Sequence, residues 1–85
     1  MDVSVTPVAE RIARVLAGQR LSINAEGSDR SAGALVDEVW RDYLDDAHAV
    51  LRTMREPDTV MAKAGDPQIW EAMILAALTQ EEGGR

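Results

Sequence analysis

Apolar positions recur every three to four residues along most of the chain, and that spacing predicts helices rather than strands. The first stretch holds Val8, Ile12, Val15 and Leu16 behind Thr6-Pro7. Threonine suits an N-cap, and proline suits the first helical position, where its missing N–H would be unpaired anyway. Gly18 is a natural stop, so a helix over about residues 7–17 is expected. Residues 19–31 then read as a connection, carrying Asn24, Glu26, Gly27, Ser28, Asp29, Arg30 and Ser31. Leu21 and Ile23 alternate around Ser22 there. A lone extended piece cannot build a sheet, so both are expected to anchor the connection on the core.

The strongest pattern spans about residues 31–54, with Ser31 or Ser28 as its N-cap. At the helical step, Ala32, Val36, Val39, Trp40, Tyr43, Leu44, Ala47, Val50, Leu51 and Met54 fall on one arc. The rest of the circumference is charged: Asp37, Glu38, Arg41, Asp42, Asp45, Asp46, Arg52 and Arg55. Leu35 is the main apolar exception on that side. Asp37–Arg41 and Arg41–Asp45 add weak support at i,i+4. Pro57 ends this helix, because the residue before a proline avoids helical geometry.

A short helix over about 57–64 is expected next, with Val60 and Met61 turned inward and Gly65 as its C-cap. Asp66-Pro67 restarts the chain as a cap and first-position pair. The last helix covers about 67–81 and breaks the one-sided rule, since from Ile69 to Leu78 only Glu71 is polar. Trp70, Met73, Ile74 and Ala77 form one face, and Ala72, Leu75 and Ala76 lie opposite. A helix apolar all round is normally covered all round. A domain this small can hardly cover both sides of one helix, so Leu35, Ala72, Leu75 and Ala76 are the expected interface residues of a homodimer.

The architecture expected is one all-α domain over residues 1–85, a small bundle of three to four helices around Trp40 and Trp70, with loose ends at 1–5 and 82–85. Composition sharpens the case for a partner. Thirteen of the 39 apolar residues are alanine, there is no Phe, and only two Trp and one Tyr are aromatic. A chain of 85 residues with so few large side chains gains from pairing. The absence of cysteine excludes disulfides and thiolate metal sites. The N-terminal stretch lacks a signal-peptide pattern, and Ile69–Leu78 is about half a membrane span. A soluble, cytoplasmic protein without a membrane anchor is expected. The net charge of −6 disfavours nucleic acid and favours a basic partner.

The stretch Ala47…Met54-Arg55-Glu56-Pro57…Met61…Ala64-Gly65, followed by Trp70-Glu71-Ala72-Met73-Ile74 and Ala76-Ala77-Leu78, resembles a group of short bacterial and phage-associated helical proteins. Trp40 is similar to that group's upstream aromatic. The resemblance covers about residues 40–78, and the N-terminal third does not match. The group has no assigned activity, so the resemblance implies an ordered helical unit and no chemistry.

Candidate chemistry is sparse. His48 is the single histidine, and with Asp45 it forms Asp-x-x-His at i,i+3. Di-metal bundles use two such pairs with further carboxylates, so a metal site would require a homodimer. A surface histidine is the simpler reading. Glu38, Asp42, Asp45 and Asp46 line part of the long helix; such a stripe either docks a basic partner or is a solvated face. Arg52 and Arg55 complement the carbonyl end of that helix. Ser22, Ser28 and Ser31 lack a positioned base, and no Gly-rich phosphate loop is present. A helix-turn-helix reader would carry basic and amide side chains after its turn, and only Lys63 is available. The expectation is a non-enzymatic interaction module with no cofactor, ahead of a partner-binding or nucleic-acid-associated regulator and a metal-binding homodimer.

Overall fold

The computed structural model describes residues 3–25 and 32–80, and every regular element among them is helical. In chain order these are α1 (Val8–Ala25), α2 (Ala32–Val39), a 3-10 turn (Trp40–Tyr43), α3 (Leu44–Met54), α4 (Thr59–Ala64) and α5 (Pro67–Thr79). The expected serine caps, residues 26–31 at the end of the first connection, and the expected loose tail lie outside the described residues. So the all-α bundle stands, with changed boundaries.

Helix α1 does not stop at Gly18 but continues to Ala25. Leu21 and Ile23 are therefore helical rather than extended. The reason is close packing. A Cβ built on Gly18 would lie 3.9 Å from Cγ2 of Val36, so α2 rests on α1 at this glycine. The small residues Ala9, Ala13 and Ala17 recur every four positions on α1 and are all buried. An alanine line of this kind lets a neighbouring helix approach closely without voids. At the start of α1, the Pro7 carbonyl accepts the first i,i+4 bond from Arg11 N–H at 3.1 Å, so proline occupies the cap position itself.

The expected helix over 31–54 is interrupted by the 3-10 turn. Neither Gly nor Pro lies at 40–43, so local sequence does not dictate the break. Packing does. Trp40 is 3% exposed against Ala13, Ala17 and Ala47, and the flanking Val39 and Tyr43 have ψ values of −4° and 8°. On one straight helix Leu35 would lie about 160° from Leu51, on the far side. The turn re-aims α2, and Leu35, Val36 and Val39 are all half-buried. Val50 and Met54, expected on the inner arc, sit at its margin and are exposed.

Two arginines cover Trp40. The Arg14 guanidinium lies 5.2 Å and that of Arg41 4.4 Å from its ring centroid, within cation–π range. Arg14 also bonds Asp37 at 2.7 Å and Glu10 at 2.9 Å, tying α1 to α2. Asp37, and then Glu10, raise the Arg14 pKa above its ordinary value by stabilising the cation.

The inner cluster of Ala13, Ala17, Trp40 and Ala47 joins a second one of Ala9, Leu51 and Ile74. Ile12 and Leu44 pack against both, so the core is continuous from α1 through α3 to α5. Among the described residues, Leu51 is the largest fully buried side chain. Trp70 is half-buried at the α3–α5 boundary. Among the described residues, four of the seven buried hydrophobics are alanine, so little apolar area is available to hold the fold.

Candidate interaction surface

The α4–α5 corner is built by two aspartates. The Asp58 carboxylate accepts from Met61 N–H at 2.9 Å and starts α4. Gly65 closes that helix, its N–H bonded to the Met61 carbonyl at 3.2 Å. Asp66 then accepts from Gln68 N–H at 2.9 Å, with Pro67 in the first turn of α5. The Asp66-Pro67 restart was legible in sequence; the Asp58 cap shifts the start of α4 from the expected 57 to Thr59.

Helix α5 is fixed to α3 at two points. The Trp70 indole Nε1–H donates to the Met54 carbonyl at 2.6 Å, satisfying a carbonyl that the end of α3 leaves without a helical partner. Arg55 lies 3.7 Å from Glu71, with both side chains half exposed. Arg55 thus bridges two elements besides lying at a helix end. Ile74 then packs with Leu51 and Ala9, and Ala77 and Leu78 complete the inner face.

The outer side of α5 is apolar and open. Ile69 is 59%, Met73 63% and Leu75 40% exposed, and Ala72 and Ala76 are exposed beside them. Met73 was expected on the inner face with Trp70 and Ile74. It lies about 100° from Ile74 around the helix, which places it past the edge of the contact with α3. Of the expected interface residues, the structure brings Ala72, Leu75 and Ala76 onto one exposed side, and Leu35 is half-buried on α2.

Helix α4 carries no buried residue. Val60 is 75% and Met61 40% exposed, so neither turns inward as the sequence suggested. Six residues give too short a helix to reach the core while Asp58 and Gly65 hold its ends at the surface. Between α4 and α5 lies a groove of about 340 Å³, walled by Pro57, Met61, Ala64, Ile69, Trp70 and Met73. A second, more open depression of about 560 Å³ separates Thr6, Pro7 and Val8 from Met73 and Ala76. Sequence periodicity missed the groove because its walls come from two helices whose relative placement depends on the Asp58 and Asp66 caps.

The polar candidates stay apart from this surface. Glu38, Asp42, Asp45 and Asp46 are exposed. Asp45 and Asp46 occupy the first turn of α3, where negative charge complements the helix dipole. His48 is half-buried one turn further on. Among the described residues no group of three His, Cys, Asp or Glu side chains is placed to hold a metal ion. Asp45 and His48 would need donors from a second chain. Among the described residues no helix is long and apolar enough to cross a membrane. No family model, curated protein or solved structure matches the chain.

Proposed function

We propose that this chain is a non-enzymatic, cytoplasmic interaction module that pairs with a second copy of itself through α5. The observation that carries the reading is the uncharged outer side of α5, where Ala72, Leu75 and Ala76 lie exposed together. Surface area supports it. The accessible surface is 6490 Å², against about 5000 Å² for a folded monomer of this mass. The exposed large apolar side chains of α4 and α5, among them Val60, Ile69, Met73 and Leu75, belong to that surface. A stable interface takes about 800 Å² from each partner. Ala72 and Ala76 are small enough for two α5 helices to approach closely, with Leu75 at the margin.

Sedimentation equilibrium tests the reading. Wild type is expected to dimerise at micromolar concentration, and Leu75→Glu to be monomeric with unchanged helicity by circular dichroism. A wild type that stays monomeric up to about 100 μM, weaker than a specific dimer requires, would falsify it.

A further inference from the structure

We infer that the groove between α4 and α5 receives the apolar face of a basic amphipathic helix from another protein. This goes beyond self-association and uses the edge of the outer side of α5, at Ile69 and Met73, that faces α4. Helix-in-groove recognition needs an apolar channel, adaptable walls and a rim that matches the charges beside the ligand's apolar stripe.

All three features are present. The walls are Pro57, Met61, Ala64, Ile69, Trp70 and Met73, and the channel of about 340 Å³ admits large apolar side chains. The methionines supply the adaptability. Met54, Met61 and Met73 are 37%, 40% and 63% exposed around this corner, although the core is short of large side chains. Unbranched thioethers repack around different shapes, which is why exposed methionine suits a recognition surface. Helix α4, with no buried residue of its own, can adjust its position at little cost. The rim gives the sign of the partner. Asp66 is the charged residue lining the groove; Glu56 and Asp58 adjoin its Pro57 wall along the chain and Lys63 adjoins Ala64, while Arg55 lies 3.7 Å from Glu71. The chain as a whole carries −6, so its field attracts cations. A second copy would bring the same acidic rim against this one. A basic helix brings the opposite charge.

Trp70 lines the groove and reports its occupancy. The probe is a synthetic amphipathic peptide of roughly 18 residues, five turns of Leu and Lys, with a Leu/Glu peptide of the same pattern as control. Trp40→Phe leaves Trp70 as the sole tryptophan. Anisotropy of a labelled peptide on the wild-type chain repeats the measurement should that substitution disturb the fold. Saturable binding of the Leu/Lys peptide with a Trp70 emission shift is expected, with none for Leu/Glu. Met61→Ser and Met73→Ser, both at exposed positions, should each weaken binding about tenfold. Leu75→Glu should leave it within twofold. Equal binding of both peptides, insensitivity to the methionine substitutions, or no saturable binding overturns the proposal. So does a Trp70 response that disappears as wild type self-associates, which would place a second copy in the groove. A monomeric wild type that still binds the Leu/Lys peptide refutes the dimer and leaves this proposal standing.

Discussion

Trp40 and Trp70 divide the work that larger cores spread over many residues. Trp40 fills the space between the alanines of α1 and α3 and is 3% exposed beneath two guanidinium groups. Trp70 is half-buried, and its indole N–H caps the Met54 carbonyl at 2.6 Å. Trp70→Phe keeps most of the ring contact and removes the donor. The expected loss is about 1 kcal/mol, the usual net worth of one hydrogen bond. Urea unfolding should show it as a lower midpoint at unchanged slope. The aromatic character of both positions was legible in sequence. Which carbonyl Trp70 would meet was not, because that bond joins residues sixteen apart across the α3–α5 corner.

Among the elements, α1 shows how packing overrides a local stop signal. Glycine in a helix interior costs about 1 kcal/mol relative to alanine. The helix continues through Gly18 because its neighbours on α1 bury Ala13 and Ala17 against the core. The added methyl of Gly18→Ala meets Val36 at an ordinary 3.9 Å. The substitution should therefore stabilise the fold by about 0.5–1 kcal/mol, raising the thermal midpoint in calorimetry by a few degrees. The caps of α4 and α5 argue in the other direction. Asp66→Ala removes an acceptor 2.9 Å from Gln68 N–H and should cost about 1 kcal/mol. Hydrogen exchange at the first turn of α5 should accelerate, while α1 keeps its protection. Capping signals were readable at Asp66-Pro67, where two independent preferences coincide. The interruption at Trp40–Tyr43 was not, since no residue there disfavours an α-helix strongly enough to mark it.

At the level of the whole molecule, the radius of gyration is 15.0 Å, against about 12 Å for a compact chain of this length. The core runs through α1, α3 and α5, and α4 lies outside it with no buried residue. A fold with this shape and an alanine-rich interior should draw stability from association. If the α5 pairing forms, the thermal midpoint rises with protein concentration, by mass action on the dimer. Scanning calorimetry over a hundredfold concentration range checks this, and Leu75→Glu should abolish the dependence.

The order of helical segments, the caps at Asp66-Pro67 and the apolar circumference of α5 were set by sequence alone, because they rest on spacing and on local backbone chemistry. Tertiary structure decided where α1 ends, where the long helix breaks, and that Met61 and Met73 face outward across a groove. Those outcomes depend on contacts between residues distant along the chain: Gly18 against Val36, Trp40 against Ala13, Trp70 against Met54. No periodicity encodes such pairings, since each is fixed only when two helices choose the faces they bury.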